Sequence, residues 1–95
     1  MIRILDIVPG ADTGDQGAAV LEHVLCKLRE HQDVVISFEG VMNATPSFVN
    51  ASFVELLDSY PLEEIRRRIK VVKSTRQINE VIKERLYREA EVRAA

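Results

Sequence analysis

The sequence predicts a single α/β domain of order β-α-β-α-β-α with a largely parallel sheet. Three observations predict it. Short apolar runs rich in β-branched residues recur at 2–8, 34–38 and 69–73. Each run is followed by a turn and then by apolar residues at helical spacing. The chain of 95 residues has room for one modest core and contains no repeat, linker or low-complexity segment, so residues 1–95 are read as one domain.

The first run, Ile2-Arg3-Ile4-Leu5-Asp6-Ile7-Val8, reads as a strand and is closed by Pro9-Gly10. Residues 10–17, GADTGDQG, invite a test as a phosphate loop. They lack the Lys-Ser/Thr of a Walker loop and the spacing of a dinucleotide fingerprint, and Asp12 and Asp15 would repel phosphate. Thr13 and Gln16 fit a capping box, so the glycines are read as turn residues. The helix that follows is expected over Asp15–Glu30, with Ala18, Leu21, Val24, Leu25 and Leu28 as its buried stripe.

The second run, Val34-Val35-Ile36-Ser37-Phe38, is broken by Glu39-Gly40. Thr45-Pro46-Ser47 carries a helix start, Thr45 as cap and Pro46 at the first helical position. This helix is expected to run from Pro46 to about Tyr60, burying Val49, Phe53, Leu56, Leu57 and Tyr60, and Ala51 and Ser52 are small enough to admit a close neighbour. Pro61 interrupts it, leaving one short turn at Leu62–Ile65. Arg66-Arg67-Arg68 is the only dense basic patch. With Glu63 and Glu64 beside it and no aromatic or glycine scaffold, it reads as a solvated, partly salt-bridged lead-in to the third strand. Lys70 and Lys73 alternate with apolar residues in that strand, as suits a strand near a sheet edge or covered on one face only. Ser74 with Gln77 is read as the cap of the last helix, whose inward residues are Ile78, Val81, Ile82 and Leu86 and whose pattern decays beyond Tyr87.

Composition removes several function classes. Thirteen Lys and Arg against fifteen Asp and Glu give a net charge of −2, the wrong balance for a general nucleic-acid binder. Cys26 is the sole cysteine, which excludes an internal disulfide and a multi-cysteine metal site and fits a reducing cytoplasm. His23 and His31 have no partners at metal-ligand spacing, so neither a metal nor another cofactor is expected. No signal peptide is expected from Met-Ile-Arg-Ile-Leu-Asp, and no run is long enough to span a membrane. No Ser-His-Asp set or motif-placed carboxylate pair appears, so no enzyme is expected, although Asp6, Asp12 and Glu39 could gather at the strand ends.

Ser47 has two readings. It is a plain helix-start residue, or its hydroxyl, beside unpaired N–H groups, carries a phosphate or meets an anionic partner. Here the stretch Val34–Val41, then Ser47-Phe48, Phe53 and Leu57, with Lys73-Ser74 ending the last strand, resembles the STAS domains (sulfate transporter and anti-sigma factor antagonist). It resembles more closely a small STAS-like family of undetermined function. The resemblance covers roughly residues 17–86. It implies a bacterial-type regulatory module, cytoplasmic and without catalytic activity, that docks a protein partner such as a histidine-kinase-like ATPase or an anti-sigma-like regulator. It further implies that Ser47 matches the phosphorylated serine of the antagonists, with Thr45 as a second acceptor. The docking surface would be loop 41–47 and the second helix, with Met42, Asn43, Thr45, Ser47 and Asn50 in contact. Antagonists carry Asp-Ser-Ser-Gly where this chain has Thr45-Pro46-Ser47-Phe48. The alternative reading is a small nucleotide- or anion-binding α/β protein, since open α/β sheets bind ligands beyond the carboxyl ends of their strands.

Overall fold

A computed structural model describes residues 1–94. The strands β1 (Ile2–Arg3), β2 (Val34–Ser37) and β3 (Ile69–Val72) form one parallel sheet in the order β1-β2-β3. The predicted parallel α/β architecture is therefore present, with β2 at its centre. Ile2 stands opposite Ile36, and Val34 to Ser37 run in step with Ile69 to Val72. Side chains alternate across a strand, so Ile2, Val34, Ile36, Ile69 and Val71 share one face. Of these, Ile2, Val34 and Ile36 are fully buried.

Among the described residues the chain also forms five helices: α1 (Ile4–Ile7), α2 (Gly14–Arg29), α3 (Pro46–Ser52), α4 (Leu62–Arg68) and α5 (Arg76–Ala94). The first strand is much shorter than its apolar run suggests. β2 ends at Ser37, so β1 has partners only for Ile2 and Arg3. The chain then winds into one turn, Val8 N–H donating to the Ile4 carbonyl at 3.0 Å. Ile4 and Val8 are buried while Leu5 and Asp6 are exposed, a spacing of four that is helical and not extended.

Helix α2 begins with the expected capping box, Thr13 and Gln16 exchanging side-chain and backbone bonds. Its buried stripe is Gly17, Val20, Val24 and Leu28, turned by about one residue from the expected one. Ala18 is exposed, and Leu21 and Leu25 are half-buried. Gly17 sets this rotation by lying against α3, where a Cβ would come within 2.9 Å of Ala51 Cβ.

The helix expected over 46–60 is two elements. α3 stops at Ser52, whose hydroxyl donates to the Phe48 carbonyl at 2.7 Å, and Val54–Asp58 tighten into a 3-10 turn. This rewinding buries Val54 together with Phe53 and Leu56. α4 is longer than the expected single turn. Glu63 and Glu64 lie in its first turn and Arg66 to Arg68 in its last, the arrangement the helix dipole favours. Arg68 is not a solvated residue: its guanidinium donates to the carbonyls of Leu28 and Gln32, closing the end of α2, and lies over the Tyr60 ring.

β3 is the predicted edge strand. Thr75, not Ser74, caps α5, its hydroxyl accepting from Ile78 N–H at 3.2 Å, while Ser74 donates to Asn79. Ile78, Ile82 and Leu86 are buried as expected. The helix continues past Tyr87 to Ala94, where Arg93 pairs with Asp58 and Glu89. Arg93 holds the Asp58 carboxyl below the usual range, through its hydrogen bond before its charge. Among the described residues, no helix is long and apolar enough to cross a membrane.

Candidate functional site

The loop between β2 and α3 begins with a tight turn. Val41 N–H donates to the Phe38 carbonyl at 2.8 Å, and Gly40 sits at φ +85°, where a side chain would be strained. From there residues 42–45 are held on two sides. On one side Gln77 of α5 makes a reciprocal pair with Ala44, accepting from its N–H at 3.0 Å and donating to its carbonyl at 3.1 Å. Thr75 donates to the Met42 carbonyl at 3.2 Å. On the other side Thr45 N–H donates to the Ala11 carbonyl at 3.0 Å, and its hydroxyl to the Asp12 carbonyl at 2.7 Å.

These bonds fix which side chains face out. Val41 and Ala44 are buried, while Met42 and Asn43 point to solvent, Met42 being 71% exposed. A flexible thioether displayed on an ordered backbone is an adaptable contact for a protein surface.

Thr45 and Ser47 differ in what their hydroxyls do. Thr45 is half-buried and uses its hydroxyl twice, donating to Asp12 and accepting from Phe48 N–H at 3.2 Å as the cap of α3. A phosphate there would break both bonds. Ser47 is exposed, and its hydroxyl has no hydrogen-bond partner among the described residues. Phe48, beside it, turns fully into the core and meets Phe38 edge-on at 6.4 Å. The bulky residue in place of the antagonists' glycine therefore does not cover the serine. Asn50, one turn further along, is half-buried and accepts from Arg85 of α5 at 3.0 Å. Met42, Asn43 and Ser47 are thus exposed along one loop, Thr45 is half-buried among them, and Asn50 is tied to α5.

The acidic residues near the strand ends do not form one cluster. Arg3 lies 3.5 Å from Glu39 and 4.0 Å from Asp6, whereas Asp12 belongs to the loop that supports Thr45. Among the described residues, no group of three His, Cys, Asp or Glu side chains is placed to hold a metal ion. A shallow concavity of about 250 Å³ lies between Pro9–Asp12 and Gly40–Asn43, with the Asp12 carboxylate on its lining.

A family model described as the STAS-like domain of unknown function (DUF4325) matches residues 16–79. The chain belongs to this STAS-like family. The matched segment runs from α2 into α5 and includes the loop, Ser47 and Gln77. No curated protein and no solved structure matches the chain. The small parallel sheet with its surrounding helices is a STAS-like fold.

In this STAS-like domain Gln77, Thr75 and Asp12 support the loop from positions about thirty residues away in the chain, and the sequence offered no local sign of it. Gln77 in particular satisfies both backbone groups of Ala44. Gln77→Ala is expected to leave them unpaired, at a cost of about 1–2 kcal/mol, and to speed hydrogen exchange at the Ala44 amide. Unchanged exchange at that amide would show that the loop is ordered by other contacts.

Proposed function

We propose that the chain is a non-enzymatic regulatory module that docks a protein partner through loop 41–47, with Ser47 as a phosphorylation switch. The observation that carries this reading is the loop itself. Its backbone is braced by both α5 and the 8–13 segment, yet it holds Met42, Asn43 and the unengaged Ser47 hydroxyl toward solvent. Pre-ordered backbone lowers the entropy lost when a partner docks. A phosphate on Ser47 would add close to two negative charges in the middle of that surface and change what it can accept. Membership of a STAS-like family is consistent with a switch protein, and a histidine-kinase-like ATPase or anti-sigma-like regulator is the partner class we favour. The nucleotide- or anion-binding reading has less support, because the concavity beside the loop carries the Asp12 carboxylate.

The test is a pull-down from native cell extract with wild type, Ser47→Ala and Ser47→Asp, reading phosphosites on the bait. A partner kept by wild type and Ser47→Ala but lost by Ser47→Asp, with phosphate found on Ser47, is the expected result. A partner held equally by all three, with no phosphate, would remove the switch and leave constitutive docking. Absence of any partner, combined with thermal stabilisation by a nucleotide, would favour the ligand reading; at a hundred times its dissociation constant a ligand stabilises by about 2.7 kcal/mol.

A further inference from the structure

β3 is an edge strand of a parallel sheet, yet none of its four residues is fully buried, in contrast to β2. Its backbone polarity can be assigned. The Val72 carbonyl accepts from Phe38 N–H at 3.0 Å, so Lys70 and Val72 direct their peptide groups toward β2 and Ile69 and Val71 direct theirs outward. Ile69 N–H is used by the Ile65 carbonyl at the end of α4. The N–H and C=O of Val71 meet no partner outside the sheet among the described residues.

Beside this edge the molecule has a partly open apolar concavity, in which Ile69, Val71 and Tyr87 stay part-exposed while Ile65, Ile82 and Leu86 belong to the core. A cavity of about 310 Å³ opens there, floored by Ile65, Ile69 and Val71 and walled by Ile82, Leu86 and Tyr87 of α5. The only charged residues lining it are Arg66, which lies over the Tyr87 ring at 5.6 Å, and Lys83. Lys70 stands exposed on the opposite face of the same strand, and Lys73 follows it. Side chains of α5 and β3 thus share this concavity, and every charged group lining it is positive.

The geometry points to strand addition at β3: the occupant is an extended partner segment that alternates apolar and acidic residues. Its backbone would take up the Val71 N–H and C=O, as in other cases where a peptide joins a sheet edge. Its apolar side chains, two residues apart, would lie on the face of Ile69 and Val71, toward the cavity, and its carboxylates, on the opposite face, would meet Lys70. A second copy of this chain fits less well, because the antiparallel register centred on Lys70 sets Lys70 opposite Lys70 and Lys73 opposite Arg67. Lysines on an edge discourage such self-pairing while leaving an acidic strand welcome. This surface is separate from loop 41–47, so it stands or falls apart from the switch.

The experiment titrates a fluorescein-labelled peptide of alternating valine and glutamate into the full chain, following anisotropy and amide exchange. Saturable binding with slowed exchange at Val71 is expected. Val71→Pro removes an N–H that β2 does not use, a substitution edge strands tolerate, and should abolish binding. The Lys70→Glu chain, altered only in charge, should bind at least tenfold more weakly with an unchanged unfolding midpoint. Equal binding of a peptide of the same composition with its valines clustered would overturn the proposal, as would no binding at millimolar peptide. Protection of Val71 in the absence of peptide, with dimers in sedimentation, would make a second copy the occupant and overturn it too.

Discussion

Phe38→Ala is expected to destabilise the domain by about 3–5 kcal/mol, the usual range for a buried phenylalanine reduced to alanine. Phe38 is fully buried one residue beyond β2. Its ring lies nearly parallel to Phe53 at 6.3 Å and edge-on to Phe48 at 6.4 Å, so it joins the sheet to both ends of α3. Its backbone extends the β2–β3 ladder through Val72 and closes the turn that starts loop 41–47. A small domain has on the order of 5–15 kcal/mol in total, so this one change consumes much of it. Phe38→Leu keeps most of the apolar volume and should cost on the order of 1 kcal/mol. Urea denaturation of the three proteins checks both figures. An alanine variant within 1 kcal/mol of wild type would show that the three rings do not form a joint core.

What could be read from the sequence follows from the range of the interactions involved. The capping box of α2, the Thr45-Pro46 start of α3 and the edge lysines of β3 are local signals, and each appears in the structure where it was expected. Features that depend on partners distant in the chain were misread. Ile2–Val8 has the composition of a strand, but its length is set by where β2 ends. Gln77 looked like half of a capping box with Ser74, whereas it bonds Ala44 across the fold and leaves the cap to Thr75. The three arginines at 66–68 looked alike, and only the end of α2 distinguishes Arg68 from its neighbours.

The helix through 46–60 shows a different kind of misreading. Its apolar residues do recur at helical spacing, so periodicity alone supports one continuous helix. Continuity would turn Val54 away from the stripe formed by Val49, Phe53 and Leu56. The change to a 3-10 turn after Ser52 brings Val54 inward, and the burial of one more branched side chain offsets the poorer hydrogen-bond geometry. For loop 41–47, the legible part was its position and its helix start. That the Ser47 hydroxyl is unengaged while the Thr45 hydroxyl is committed depends on Asp12, which no local pattern links to them.

Gly17→Ala tests the contact on which α3, and with it Ser47, is positioned. By helix propensity alone, alanine in the body of α2 should stabilise by about 1 kcal/mol. Packing opposes this. A Cβ at Gly17 would lie 2.4 Å from the Phe48 carbonyl oxygen and 2.9 Å from Ala51 Cβ. That carbonyl already accepts the Ser52 hydroxyl at 2.7 Å and belongs to the helix backbone, so it cannot swing aside. The two helices must separate. Overpacking of this kind costs about 1–3 kcal/mol, and approach to a backbone atom puts this site at the upper end, so after the propensity gain of about 1 kcal/mol a net loss of about 2 kcal/mol is expected. Amide exchange at Thr45–Phe48 should quicken with it. Gly14→Ala is the control, because its nearest neighbour would be the Ser47 carbonyl oxygen at 3.9 Å, an ordinary contact, and it should be neutral or better. Adding Ala51→Gly to Gly17→Ala relieves the side-chain contact but leaves the carbonyl in place, so rescue should be partial. A neutral Gly17→Ala, or full rescue by Ala51→Gly, would mean that the backbone of α3 yields and that the seat of Ser47 is softer than its hydrogen bonds indicate.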